Sequence, residues 1–454
     1  FYLHGSHDMI EHIMNKNPAQ DNEVSWLFLD LNSFFASCEQ QEQPKLRGRP
    51  IAIVPMLNDS TCAIAASKEA KKFGIKTGTG IREARDRCPD LILVKARHKI
   101  YIEYHHRIIA AVESCIPVTK VMSVDEMACR LERHERDVDV ARALAIKIKR
   151  TLYHQVGECL TCSVGLAPNM FLAKLATDMQ KPDGLVVITK NDLPHILHGL
   201  KLMDICGIGR RMEARLNRAG IWSVRDLMAA PRAQLRAIWG GIQGTLFHEM
   251  LHGADLQYAT ASTHTQSMGH QHVLEPRLRT IAGAADFSHH LLAKAAERLR
   301  RNDYFCRRLA LHLAFVSENK DEEKNSWGNW AGWGTETSFP ETQDTDYLLA
   351  RLNELWREVE HPRFRRLKPI KVGIVLLGLV PIAQHQMDLF TPPVKMWPRI
   401  IGRTDKPAAP INHVVDALNA KYGRNTIGFG MRDSEVKQFT GHAAFQRVPD
   451  IWEF

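Results

Sequence analysis

The chain has 454 residues, 44% of them hydrophobic and 24% charged, with a formal net charge of +9. That length and balance exclude a disordered or fibrous chain and predict about two to four folded domains. The basic surplus favours a polyanionic partner, either nucleic acid or an acidic membrane surface.

Residues 1–24 read as an N-terminal extension that lacks the basic start and apolar core of a secretory leader. "SWLFLDL", residues 25–31, reads as a buried strand ending in Asp30, and "NSFFASCEQQ" as a helix capped by Asn32 or Ser33. "RPIAIVPM" and "CAIAAS" are predicted strands. Residues 68–88 turn helical around the break "GIKTGTG", and 98–116 form a long helix. "KVMSVDEMACRL" returns to strand character. An amphipathic helix ("DVARALAIKIKRTLYHQVG"), a strand ("CLTCSVGLA"), a helix ("PNMFLAKLATDM") and a strand ("GLVVIT") follow. The irregular alternation predicts an α+β sheet domain interrupted by a small insertion at about 35–97.

Residues 190–256 read as wholly helical. Within them, "ICGIGRR" places Gly207, Ile208, Gly209 and Arg210 between two helical stretches, and "AGI" ends the next helix. Glycines permit a tight turn, and helix N-terminal amides attract phosphate. Arg211, Arg215 and Arg218 add positive charge. This is a helix-hairpin-helix pattern, suited to a sequence-independent grip on a DNA backbone; the alternative is an ordinary helical hairpin with glycine caps. Residues 268–382 form a second α+β unit rich in arginine, containing a long polar loop with three tryptophans that includes residues 325–338. Beyond 383 the chain is Pro-rich, then partly helical, and reads as a tail.

The longest apolar run, 372–383, is too short to span a bilayer and contains a proline. Nine scattered cysteines, an odd number, predict free thiols in a reducing, cytoplasmic compartment. "HEMLH", residues 248–252, matches a zinc-hydrolase pattern, yet no third ligand follows and glycines at 240, 241, 244 and 253 are predicted to break the helix.

Asp30, Asp125 and Glu126 are the candidate chemistry. Adjacent strand residues face opposite ways, so Asp125 and Glu126 can converge only at a strand end or tight turn. Carboxylates at strand ends, with no cysteine or histidine ligand set nearby, suit a hard divalent cation. On spacing alone, a solvated hairpin tip with no metal fits Asp125 and Glu126 at least as well.

Taken together, "FLDLNSFFASCEQ", "KEAKKFGIKTG", "SVDEMA", "SVGLAPNMFLAKLATDMQKPDG" and "DICGIGRRMEARLNRAGI" resemble, in order, the motifs of Y-family translesion DNA polymerases. The resemblance is greatest to the bacterial polymerase IV branch over about residues 25–380, with a C-terminal tail similar to that of the polymerase V catalytic subunit. It implies a multidomain α+β right-hand polymerase. Its parts would be a ferredoxin-like palm (25–34 and 98–189), small fingers (35–97) and a helical helix-hairpin-helix thumb (190–258). A linker (259–267), an α+β little finger (268–382) and a tail (383–454) would complete it.

The resemblance also implies roles. Asp30, Asp125 and Glu126, with the Leu31 carbonyl, would hold two Mg2+ ions. Phe35 would be a steric gate against a ribose 2′-hydroxyl, with Phe34 beneath the incoming sugar; the alternative is that both rings are plain core residues. Lys181 would contact the nucleotide triphosphate. Lys68 and Lys71 stand where the family carries tyrosine and arginine, so the planar fork of arginine is lost there. "QMDLF" resembles a bacterial sliding-clamp peptide, with Gln386, Leu389 and Phe390 as anchors. The implied protein is a monomeric, cytoplasmic, nucleoid-associated DNA polymerase of low fidelity that binds primer-template DNA, deoxynucleoside triphosphates and the clamp, but no membrane. A different class also fits: a non-catalytic, clamp-bound adaptor that recruits another polymerase.

Overall fold

The computed structural model describes residues 22–59, 61–256, 266–316, 330–359, 361, 364, 367–385, 411–423, 426–428 and 448. They fall into two compact units divided between residues 259 and 260, with Val448 belonging to the first.

The first unit is built on strand β1 (Trp26–Leu31), followed by helix α1 (Phe34–Glu42). Ser33 precedes α1 with φ 51° and makes no side-chain capping bond. A small insertion then folds as β2 (Ile51–Val54), β3 (Ala65–Ala66), α2 (Lys68–Lys71), α3 (Ile81–Arg87) and β4 (Ile92–Lys95). Its three strands order as β3-β2-β4, over a small core around Ile75, Ile81 and Ala84.

Helix α4 (His98–Glu113) leads back to β5 (Lys120–Val121) and β6 (Glu126–Arg130). Helix α5 (Val138–Gln155), β7 (Cys162–Ala167), α6 (Met170–Met179) and β8 (Leu185–Val187) complete a sheet ordered β5-β6-β1-β7-β8. Alternation along β1 decides what each face buries. Leu27, Leu29 and Leu31 enter one core with α4 and α5; Phe28 enters another with α6. Asp30 shares the Phe28 face at the strand's end.

Four helices follow: α7 (Arg210–Arg218), α8 (Val224–Ala229), α9 (Arg232–Trp239) and α10 (Ile242–Leu251). Gly244 does not break α10. It lies where α10 crosses α9, so closely that a Cβ would stand 2.1 Å from the Leu235 carbonyl oxygen. Asn169, the N-cap of α6, donates to the Met250 and Ala254 carbonyls and ties these helices to the sheet.

The second unit has β9 (Ser267–Val273), α11 (Ile281–Arg301), β10 (Tyr304–Val316), β11 (Trp330–Thr342), α12 (Thr345–Val359) and β12 (Pro369–Leu377). The antiparallel strand order is β11-β10-β12-β9, with α11 and α12 packed on one face. Two expectations need correction. The polar, tryptophan-rich stretch is not loop throughout, because residues from Trp330 onward form β11 against β10. Nor is everything past 383 a tail. Helix α13 (Ile411–Tyr422) packs back on this unit, where Asp416 pairs with the buried Arg300 at 2.6 and 2.9 Å and Asn412 donates to Asp344. Among the described residues no helix is long and apolar enough to cross a membrane. All nine cysteines are free thiols.

Candidate active site

The sheet explains how three carboxylates meet. Asp30 of β1 stands directly opposite Glu126 of β6, so their side chains share a face. β5 and β6 form a hairpin, and Asp125 ends its turn. The turn breaks the strand alternation that would otherwise send Asp125 and Glu126 apart. It is pinned: Leu31 N donates to Asp125 O at 2.9 Å, and Met122 N to Glu126 O at 2.9 Å. Ser123 Oγ donates to Asp125 Oδ1 at 2.6 Å. This is a hairpin tip, as one sequence reading allows, but a half-buried one.

Lysines answer the charge. Lys174 Nζ on α6 bridges Asp30 Oδ2 at 2.6 Å and Glu126 Oε1 at 2.8 Å, and reaches Asp178 at 3.3 Å. Lys181 Nζ lies 2.9 Å from Asp30 Oδ2 and 2.7 Å from Asp178 Oδ1. Lys71, from α2, comes within electrostatic reach of Asp30, Asp125 and Lys181. The charge of Lys68 is felt instead at the Cys159 thiol.

The titration behaviour follows this layout. Burial pushes the Asp30 carboxyl up, but Lys174 and Lys181 together bring it below the usual carboxylate range. Burial raises Asp125, and the nearby Asp30 charge adds to it against the Ser123 bond. Burial also raises Glu126, with Lys174 opposing. Lys71 is lowered by desolvation of its ammonium and by repulsion from Lys181.

Asn32, just past Asp30, is a buried hub. Its side chain donates to Ser163 Oγ at 3.1 Å and accepts from the Asp183 amide at 2.8 Å. It thereby joins the end of β1 to β7 and to the segment after Lys181. Phe34 and Phe35 are both buried in the core that holds Leu27, Leu29 and Leu31, as the plain-core alternative allows, with Phe35 stacked on Tyr101 at 4.2 Å. Gly207 takes φ 87°, Ile208 is buried, and Gly209 caps the N-terminus of α7, which starts at Arg210. Cys206, directly before that turn, lies within electrostatic reach of Lys174, Asp178 and Glu126. Gln386, Leu389 and Phe390 lie outside the described residues.

Lys174 and Asp178 were not singled out from the sequence, and Asn32 was read there only as a possible helix cap, a place that Ser33 takes. Lys174 and Asp178 are one helical turn apart in "FLAKLATDM", and Lys181 follows three residues later. That spacing held the signal. His248 and His252 do stack, at 4.2 Å. Among the described residues, however, no three His, Cys, Asp or Glu side chains stand as a ready-made metal cage. At the carboxylates Lys174 occupies the middle, a single positive charge faced by Asp30 and Glu126. An all-oxygen donor set converging on one cation fits a hard divalent metal.

A sheet that gathers three acids against Lys174 and Lys181 fits a phosphoryl-transfer enzyme. Residues 29–178 match the impB/mucB/samB family model, and residues 265–389 the C-terminal domain model of the same family. DNA polymerase IV of Moorella thermoacetica is 34% identical over 422 residues, covering 89% of this chain and 95% of that one. DNA polymerase IV of Pelotomaculum thermopropionicum is 31% identical over 416 residues, covering 88% and 93%. The solved Y-family DNA polymerase chimera of Dbh and Dpo4 shares the fold, with TM-score 0.64 at 24% identity over 78% of this chain and 99% of that one. The chain belongs to the impB/mucB/samB family, the Y family of DNA polymerases.

Proposed function

We propose that this protein is a DNA-templated DNA polymerase of low fidelity that copies past lesions by nucleotidyl transfer. Family membership supports the reaction class. The observation that carries the mechanism is the meeting of Asp30 and Glu126 on one sheet face, with Asp125 at the adjoining turn. The sheet of β1 and β5–β8 is read as the palm, the insertion at 35–97 as fingers, the helices from 190 as thumb, and the second unit as little finger.

Asp30, Asp125 and Glu126, with the Leu31 carbonyl, would hold two magnesium ions. When bound, such ions polarise the attacking hydroxyl and the phosphate and balance developing charge. The chain's own residues do the rest. Lys71 and Lys181 meet the triphosphate with positive charge. Phe35 occupies the space a ribose 2′-hydroxyl would need, a selection by clash rather than by attraction. Phe34 underlies the sugar. Gly207 to Arg210 offer backbone amides and an arginine to a DNA phosphate. The Gln386, Leu389 and Phe390 segment would dock a bacterial sliding clamp, and the protein would act as a monomer in the cytoplasm.

Primer extension with magnesium tests this reading, on undamaged and on abasic-site templates. Wild type extends both, and Asp125→Ala extends neither. A wild-type protein that adds no nucleotide to any primer sinks the proposal.

A further inference from the structure

Behind Phe35 stands a buried polar brace. Phe35 and Glu39 are four residues apart on α1, one turn, so both meet the start of α4. The Phe35 ring stacks on Tyr101 at 4.2 Å and 15°, and meets His98 edge-on at 6.0 Å. Tyr101, fully buried, donates its hydroxyl to Glu39 Oε1 at 2.8 Å and accepts from the Arg97 amide at 3.1 Å. The Arg97 guanidinium donates to Glu39 three times, at 3.0, 3.1 and 2.5 Å, and Gln43 Nε2 adds a bond at 3.2 Å. The Glu39 side chain is 0% exposed.

The carboxylate of this pair is buried while the Arg97 side chain is 39% exposed to water, which screens the charges and makes the pair a modest source of stability. What it supplies is a fixed geometry. Here the fixed object is the Tyr101 ring, held at its hydroxyl by Glu39 and by the chain at Arg97. Phe35 lies flat on that ring and cannot swing without losing the stack.

We infer that Glu39, acting through Tyr101 and Arg97, is a positioning residue for sugar selection, holding Phe35 forward against a 2′-hydroxyl. The inference rests on the reading of Phe35 as the steric gate. Loosening the brace lets the ring retreat, which admits ribonucleotides while leaving deoxynucleotide insertion nearly intact.

The experiment compares kcat/KM for a matched deoxynucleotide and its ribonucleotide in the full chain. Tyr101→Phe removes only the hydroxyl and keeps the stack. Glu39→Gln keeps the shape and removes the charge. Each lowers the deoxy-to-ribo ratio about tenfold, through the ribonucleotide value, since a small misplacement changes rates by such factors. Tyr104 and Glu42 join the same two helices by a parallel bond at 2.8 Å, one turn farther along. Tyr104→Phe therefore serves as the control for general loosening and leaves the ratio unchanged. Phe35→Ala tests the gate itself and collapses the ratio. If Phe35→Ala collapses it while Tyr101→Phe and Glu39→Gln leave it untouched, the brace is refuted and the gate stands. An equal shift from Tyr104→Phe also refutes the brace. If Phe35→Ala changes nothing, the gate reading falls and takes the inference with it. Should Glu39→Gln fail to fold, Tyr101→Phe decides alone.

Discussion

Asp125 and Glu126 were visible in the sequence because two charges interrupt an apolar run. The lysine that faces them, Lys174, was not. Strand alternation sets adjacent residues apart, and only the turn before β6 brings both acids near Asp30. Burial then raises both carboxyls above their ordinary range. The sign of the consequence is clear. A raised carboxyl takes up its proton earlier as pH falls, and a protonated carboxyl does not bind a cation. Divalent-ion affinity, measured by calorimetry from about pH 7 to about pH 5, falls on acidification, beginning above the usual carboxylate range. Lys71 acts in the opposite sense. Its lowered pKa means it sheds its charge sooner as pH rises than a free lysine does. Lys71→Ala raises the nucleotide KM about tenfold, the loss of one charge-assisted contact. Lys68→Ala, whose charge lies toward Cys159, raises it less. Steady-state kinetics with varied nucleotide separates the two.

Helix α6 delivers Lys174 and Asp178 to the carboxylates, and it does so by lying unusually close to β7. At Gly165 a Cβ would stand 2.0 Å from the Ala173 carbonyl oxygen and 2.8 Å from Ala176 Cβ. Backbone fills that space, so it cannot yield by rotating a side chain. Gly165→Ala therefore pushes α6 outward, destabilises the first unit by about 1–3 kcal/mol, and lowers kcat with little change in DNA affinity. A melting curve and a single-turnover rate check both halves. Sequence periodicity located α6 but not its closeness, which depends on a contact between elements. β11 was missed for a related reason. Its glycines weaken strand propensity, yet a Cβ at Gly334 would stand 2.6 Å from His312 Nδ1 on β10. The glycine serves its cross-strand neighbour, and that neighbour is not legible locally. By contrast α5, long and amphipathic, was legible because its period alone specifies the buried face.

Over the whole molecule, the net charge of +9 and the arginines following the glycine turn point to backbone-dominated DNA binding. Affinity for primer-template, measured by anisotropy, drops steeply between low and physiological salt. Helix α13 helps hold the second unit together. Arg300 has a side chain only 3% exposed and is bonded to Asp416, Gln343 O and Thr345 Oγ1. Asp416→Ala strands part of that guanidinium and destabilises the second unit by about 3 kcal/mol, visible as a lowered melting transition.

The ion pairs around Lys174 carry one more consequence, about what kind of guest the site prefers. Asp30, Asp125, Glu126 and Asp178 face Lys71, Lys174 and Lys181, so these side chains sum to a single negative charge. Such a pocket is almost electrically silent from a distance. It has little pull on a bare triphosphate and little quarrel with one whose charge is already balanced by metal. The glycine turn and its arginines, in contrast, broadcast a field. Rising salt should therefore loosen the template long before it affects the affinity for the nucleotide.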